Sequence, residues 1–267
     1  MATRGKLILL EGISGSGKTT LAHELVEHLK AQGIRVRFES EPTKGVIGKG
    51  IRKLIEGKKF TELQVFNFSR YIVQVMLHML LHEDALSKPL KRRAYRFKEA
   101  LEEILNKMRA GEKLSELEYQ LLYIADRLLH LTRVIIPALT RGEWVVLDRY
   151  DLSTYAYGVA HGLKMKDLYE WHKAALTEHY LAPDVTFYID VPASVAVERL
   201  KRSGKAIDRF ETLASLKRVG MAYEHAILMR RKEGDRAFTE CVDGVRAKHA
   251  VLKELKRLIG RYRMFWK

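Results

Sequence analysis

The chain has 267 residues, of which 48 are Lys or Arg and 33 are Asp or Glu, giving a formal net charge of +15. With 47% hydrophobic residues, 30% charged residues and 5 prolines it can bury a full core, which excludes a disordered or low-complexity protein. The single cysteine, Cys241, excludes a disulfide framework and a multi-cysteine zinc site, and points to a reducing compartment. The positive charge fits nucleic acid, an anionic membrane surface or a phosphorylated small molecule, and alone selects none of them.

At the start of the chain, Leu7-Ile8-Leu9-Leu10 is too short an apolar run for a signal peptide and is followed at once by Glu11. No stretch approaches the roughly 18 uninterrupted apolar residues of a membrane span, so a soluble, cytoplasmic protein is expected. Lys6 to Leu10 reads as a short buried strand, followed by a glycine-rich turn and an amphipathic helix from Lys18 to Ala31 that stops at Gly33. Ile34 to Phe38 reads as a second strand, Trp144 to Leu147 as a third, Val185 to Ile189 as a fourth and Ala237 to Val242 as a weaker fifth. Helical patterns fill the gaps. Strands alternating with helices imply a doubly wound α/β domain with a parallel five-stranded sheet, helices on both faces and ligands at the carboxyl ends of the strands.

Between the second and third strands lie about a hundred residues without a strand signal, more than one crossover helix requires. Leu63 to Leu81 carries apolar residues at helical spacing, Ser87-Lys88-Pro89 breaks it, and Leu90 to Arg109 forms a second helix. That helix opens with the basic run Lys91, Arg92, Arg93, Arg96, Lys98 and ends at Gly111. A single domain over residues 1–267 is therefore expected, with an inserted helical hairpin over 59–113.

The strongest chemical signal is Gly12-Ile13-Ser14-Gly15-Ser16-Gly17-Lys18-Thr19, which fits G-x-x-x-x-G-K-[ST] after a strand and at the opening of a helix. Its glycines let backbone N–H groups turn around phosphate oxygens. The helix N-terminus adds partial positive charge, Lys18 reaches the outer phosphates, and Thr19, with Thr20 beside it, can ligate Mg²⁺. A nucleoside triphosphate with Mg²⁺ is the expected ligand, and the class of P-loop protein is left to the rest of the chain. No N-K-x-D segment is present to read guanine, which argues against a GTPase. Asp148-Arg149-Tyr150 ends the third strand, where an aspartate can hold Mg²⁺ and an arginine can clamp a phosphate bidentately. As an isolated pair these two residues read equally well as a buried ion pair.

Further motifs narrow the reading. Phe38-Glu39-Ser40-Glu41-Pro42-Thr43, Leu121-Leu122-Tyr123-Ile124-Ala125-Asp126-Arg127, Asp148 through Tyr157, Pro183-Asp184-Val185-Thr186 running to Asp190-Val191-Pro192, and Asp208-Arg209-Phe210-Glu211 occur in the order seen in thymidylate kinases. The sequence resembles that family over nearly all its length except the hairpin. The resemblance implies transfer of a phosphoryl group from ATP to thymidine monophosphate. By the same resemblance Tyr123 matches the aromatic that stacks on thymine and Arg127 an arginine on the base or phosphate side. Arg149 matches the arginine on the acceptor phosphate, Asp148 the acid near the metal, and Tyr157 the tyrosine that crowds the 2′ position. Ser153 and Thr154 fall where small polar residues line the base pocket, and Glu41 and Pro42 of the Phe38–Thr43 motif count among the substrate-binding residues. The segment 201–210 resembles a lid, with Arg202 and Arg209 as catalytic cations and Arg199 and Lys205 in support. Val242-Asp243-Gly244 matches the loop that packs on the donor adenine. The family is typically dimeric, and a homodimer is expected.

One departure bears on the substrate. The family usually carries an acid where this chain has Ser14, associated with the acceptor 3′-hydroxyl; Glu11 and Glu41 are candidate substitutes. A kinase for another deoxynucleotide or a deoxynucleoside is therefore the alternative. From a different class, a basic nucleic-acid-binding P-loop protein would use the run Lys91 to Lys98 on phosphates and bind with steep salt dependence. The histidines show no metal-ligand constellation: His78 and His82 are spaced i, i+4 without a third ligand.

Overall fold

The computed structural model describes residues 4–81, 87–204, 210–232, 238–264 and 266. In chain order the elements are β1 (Leu7–Glu11), α1 (Lys18–Ala31), β2 (Val36–Ser40), α2 (Val46–Ile55), α3 (Glu62–Leu81), α4 (Lys88–Ala110) and α5 (Glu116–His130). They continue with α6 (Ile136–Thr140), β3 (Trp144–Asp148), α7 (Asp151–Ala160), α8 (Met165–Leu176), β4 (Val185–Asp190), α9 (Ala193–Arg202), α10 (Leu213–Lys232), β5 (Phe238–Asp243) and α11 (Lys248–Arg263). A π-helical turn at Leu131–Ile135 joins α5 to α6. Among the described residues no helix is long and apolar enough to cross a membrane.

The chain divides into two compact units. The first comprises residues 1–40, 135–156 and 182–267, and the second residues 41–134 and 157–181. In the first unit all five strands pair in parallel in the order β2-β3-β1-β4-β5. Every residue of β1 is buried, and Val145 to Leu147 of β3 are also buried, as continuous apolar runs in the middle of a parallel sheet should be. The connection from β1 to β2 passes over β3 in one direction, and the later connections run the other way. Right-handed crossovers then put α1 on one face and the helices after β3 and β4 on the other, the expected doubly wound α/β architecture. The reversal of strand order falls at β1, so the crevice for a ligand opens at the carboxyl ends of β1 and its neighbours.

Two boundaries differ from the sequence reading for local reasons. Ile34, expected in β2, has its N–H bonded to Leu29 O at 3.1 Å, and Gly33 at φ 76° bonds Lys30 O at 2.9 Å. Both residues thus terminate α1, and the strand starts at Val36. Pro89, expected to separate the hairpin helices, sits in the first turn of α4, where its missing N–H removes no intrahelical bond.

The second unit is helical. Its α5 begins with a reciprocal cap: Ser115 N donates to Glu118 Oε2 at 2.6 Å, and Glu118 N donates to Ser115 Oγ at 3.3 Å. Lys107 of α4 adds an ion pair to Glu118 at 2.7 Å, fixing the end of α4 to the start of α5. Gly111 closes α4 in the left-handed conformation, φ 70°. The core of this unit includes Phe68, Ile72 and Val75 of α3 and Phe97, Leu101 and Ile104 of α4, all buried.

Candidate functional site

In the first unit the segment 12–19 joins β1 to α1, where the strand order reverses. A Cβ on Gly15 would collide with the carbonyl of Ala196 on α9, and its φ of 81° lies in the left-handed region, so glycine is required on both counts. Lys18 is buried and donates from Nζ to Ile13 O at 3.0 Å. Burial pushes its pKa down to about 7, with Arg149 adding to the effect and Asp148, Glu11 and Glu211 opposing it. Ser16 Oγ is buried without a hydrogen-bond partner among the described residues. Arg199 of α9 ties this turn to the end of β5, donating to Ser16 O at 3.3 Å and Gly244 O at 2.8 Å. Asp243 is exposed and accepts from Val245 N at 2.9 Å.

At the end of β3, Asp148 Oδ2 accepts from the Thr19 hydroxyl, while Asp148 Oδ1 is buried with no partner among the described residues. Thr20 is exposed beside Thr19. Arg149 takes φ 71°, a left-handed conformation that is costly for a side chain with a Cβ and that recurs at functional sites. Its guanidinium donates to Ser14 Oγ at 3.1 Å, Gly12 O at 3.2 Å and Ser153 Oγ at 3.3 Å. Behind it lies Glu11, fully buried, which accepts from Tyr150 N at 2.7 Å, Ser153 Oγ at 2.7 Å and Tyr223 OH at 3.0 Å. Burial raises the pKa of Glu11 against these donors and the Arg149 charge. The structure therefore joins Ser14, Arg149, Ser153 and Glu11 in one hydrogen-bonded group, with Thr19 and Asp148 linked beside it. Thr154 is buried one position further along α7.

Arg202 ends α9 with its side chain 76% exposed and pairs with Glu198 at 2.5 Å. Arg209 and Lys205 lie outside the described residues, as does His82.

The second unit gathers Glu41, Arg127 and two histidines. Arg127 Nε donates to Glu41 Oε2 at 2.8 Å and NH2 approaches the same oxygen at 2.6 Å, both side chains being almost fully buried. His130 Nδ1 lies 3.2 Å from Glu41 Oε1. His172 of α8 approaches Arg127 NH1 with Nε2 at 2.6 Å and the carbonyl of Leu168 with Nδ1 at 2.9 Å. A carbonyl only accepts, so this geometry fits a proton on Nδ1 and a bare Nε2 that accepts from the guanidinium. Around Pro42, whose preceding peptide is cis, Thr43 donates from N and Oγ1 to Asp126 at 2.6 and 2.7 Å. Arg52 caps the carbonyl of Thr43 at 2.6 Å and also that of Pro42. Tyr123, one turn before Arg127 on α5, and Tyr157, near the end of α7, are both half-buried.

Three members of these groups, Tyr223, His130 and His172, carry no local sequence signal. Tyr223 reaches Glu11 from 212 positions away along the chain. His130 is a lone histidine on an otherwise ordinary amphipathic helix.

Comparison with known proteins agrees with this geometry. The family model described as thymidylate kinase matches residues 10–89 and 92–233. The thymidylate kinase of Nitrosomonas europaea is 31% identical over 264 residues, covering 96% of this chain and 91% of that protein. That of Akkermansia muciniphila is 30% identical over 245 residues, 91% of this chain and 90% of the relative. That of Leptospira interrogans is 32% identical over 217 residues, 81% and 79% of the two chains. The match runs from the phosphate-binding turn, through the Glu41–Arg127 group and the Asp148–Arg149 segment, into α10, and the chain belongs to the thymidylate kinase family.

Proposed function

We propose that the chain is a cytoplasmic kinase that moves the γ-phosphoryl group of ATP to the phosphate of thymidine monophosphate. An acceptor phosphate oxygen attacks the γ-phosphorus, the bond to the β,γ-bridging oxygen breaks, and ADP leaves with that electron pair. The observation that carries this reading is the pair of bonds Thr19–Asp148 and Arg149–Ser14, with buried Lys18 beside them, at the ends of β1 and β3. Catalysis is positioning and charge stabilisation. Lys18 and the buried Ser16 hydroxyl, which has no partner among the described residues, suit the donor phosphates, Arg199 braces the cradle, and Asp243 and Gly244 sit at the adenine end. Arg149, strained and anchored through Ser153 and Glu11, presents its guanidinium to the acceptor phosphate.

The donor set also fits Mg²⁺: Asp148 offers a buried carboxylate oxygen without a partner among the described residues, and Thr19 a hydroxyl in contact with the other oxygen. When bound there, the ion neutralises charge on the β- and γ-phosphates. In the second unit Tyr123 supplies a face for the thymine ring and Tyr157 crowds the 2′ position. Glu41 is committed to Arg127, and Glu11 to Tyr150, Ser153 and Tyr223, so neither carboxylate replaces the family acid at Ser14 without breaking those bonds. The segment 201–210 acts as the lid, with Arg202 and Arg209 its catalytic cations, and residues 59–113, which the family match spans apart from 90–91, form a helical hairpin within a single kinase domain.

The reading is tested by coupled ADP release with a panel of nucleoside monophosphates and unphosphorylated nucleosides. Thymidine monophosphate should give the highest kcat/KM; activity on another acceptor with none on this one overturns the assignment.

We also propose a homodimer. Helix α3 buries one face through Phe68, Ile72, Val75 and Met79, yet Leu63, Phe66, Val73, Leu77 and Leu80 form a second apolar stripe, each about half exposed or more. Phe66→Glu with Leu77→Glu should convert a dimer to a monomer by light scattering. A monomer before the substitutions would end the proposal.

A further inference from the structure

The basic run at the start of α4 takes no part in the hydrogen-bonded groups described above. Arg93 and Arg96 of this run, with Lys164 just before α8, line an open surface pocket of about 350 Å³ in the second unit, with Arg96, Lys164 and Asp167 exposed. That volume lies within the range of about 300–1,000 Å³ typical of small-molecule sites. Its apolar wall includes Leu168 and Trp171 of α8, and Asp167 is the one acid of the lining. Trp171 is held between helices: the Phe97 ring packs at 6.0 Å and the Arg96 guanidinium lies over the indole at 5.9 Å. Arg93 is steadied by Glu170 at 3.4 Å.

We infer that this pocket binds a nucleotide as an effector, distinct from the substrates of the kinase site. The composition selects the class. Three cations against Asp167 in the lining and Glu170 on Arg93 leave a net positive charge that favours a phosphorylated ligand, and the indole favours a planar ring. Asp167 beside them accepts from sugar hydroxyls or an exocyclic amine. An inorganic anion would leave the indole and the leucines unused, and an apolar ligand would strand the arginines.

The same helix gives the site a route to the acceptor. Leu168, in the pocket wall, provides the carbonyl bonded to His172 Nδ1, and His172 Nε2 contacts Arg127. Trp171 is the neighbour of His172 in sequence. A ligand that moves this turn of α8 shifts the imidazole on which Arg127 rests, so effector and acceptor affinities are coupled. The coupling rests on the proposed role of Arg127 at the acceptor; the binding site itself does not.

The test uses ADP carrying a fluorescent methylanthraniloyl group on its ribose, titrated against the full chain. Wild type should bind two probes per chain, Lys18→Ala should lose the tighter donor-site event, and Arg93→Glu with Arg96→Glu should weaken the other at least tenfold. Energy transfer from Trp171, lost in Trp171→Phe, places the second probe in the pocket. Arg93→Lys with Arg96→Lys should retain binding, which separates lost charge from lost folding. One probe per chain in wild type, or a second event indifferent to the glutamate pair, overturns the site. Tripolyphosphate displacing the probe as well as ADP does overturns ring recognition. In Lys18→Ala, saturating thymidine monophosphate should change the probe affinity at least threefold in either direction. No change, with acceptor binding confirmed separately by calorimetry, overturns the coupling; absent acceptor binding instead overturns the proposed substrate.

Discussion

The phosphate-binding end of the first unit and the Arg127 group of the second hold their charged groups by opposite means, although the first unit also buries the Arg230–Asp151 pair. At the phosphate-binding end, Lys18 and Arg149 lean on backbone carbonyls and hydroxyls, and Asp148 keeps one carboxylate oxygen without a partner among the described residues. In the second, Arg127 is closed in by Glu41 and His172, and Glu41 in turn by His130. An arrangement that leaves polar atoms without protein partners is costly for the empty protein and complementary to an incoming charge. One that pairs its charges internally stabilises the fold and presents a fixed shape. The lesson is that burial alone does not distinguish a binding group from a scaffold group; the state of its partners does.

The contrast is broken most directly at Arg127. Removing one member of a buried pair leaves the other charge uncompensated, so Arg127→Met should cost about 3–5 kcal/mol in urea unfolding. Glu41→Leu combined with Arg127→Met should recover most of that loss. If the recovered protein still shows a raised KM for thymidine monophosphate, Arg127 serves the acceptor as well as the fold. A single-variant loss below about 1 kcal/mol would remove the distinction between the two groups.

Lys18→Ala should do the reverse. Turnover should fall by about 10²–10³-fold or more, as when one preorganised charge donor is lost, while the unfolding midpoint stays level or rises because a desolvated cation has been removed. A stability loss like that of Arg127 would show that Lys18 is part of the scaffold.

Arg202→Ala probes the proposed lid and should have a smaller effect. Its pair with Glu198 is solvent-exposed, so unfolding should shift by less than about 1 kcal/mol. If the guanidinium meets the phosphates only in the transition state, kcat should fall roughly tenfold, with the acceptor KM changing about twofold or less. Equal losses in both constants would assign it to ground-state binding.

The same contrast explains what the sequence reveals. The phosphate-binding turn is legible because its chemistry needs glycines, lysine and threonine at fixed local spacing, and Gly15 against Ala196 shows the steric reason. The parallel sheet is legible from short apolar runs, with ends displaced where Ile34 finishes a helix instead of starting a strand. The anchoring of Arg149 through Ser153 and Glu11 to Tyr223 is not, because Tyr223 sits on α10 and only the fold brings it there. The clasp on Arg127 escapes for the same reason, since His130 and His172 belong to different helices. The pocket beside the basic run is likewise assembled from α4, α5, the segment leading into α8 and α8 itself.

The smallest effect distinguishes most finely between a prepared site and an ordinary salt bridge. In the free protein Lys18 is pushed down to about 7 from its ordinary 10.5, chiefly by burial. Between those values the folded chain carries fewer protons than the unfolded one, so stability should rise with pH across this window; below about pH 7 the cost of the buried ammonium is fully present. Phosphates arriving at the cradle favour the charged form and bring the proton back. Nucleotide binding at about pH 8.5 should therefore take up close to one proton, read by calorimetry in buffers of different ionisation enthalpy. Uptake should vanish in Lys18→Met and shrink toward zero at about pH 6, where the lysine is already charged. Binding without proton uptake at the higher pH would mean that the cradle holds its ammonium before the nucleotide arrives, as a scaffold charge would.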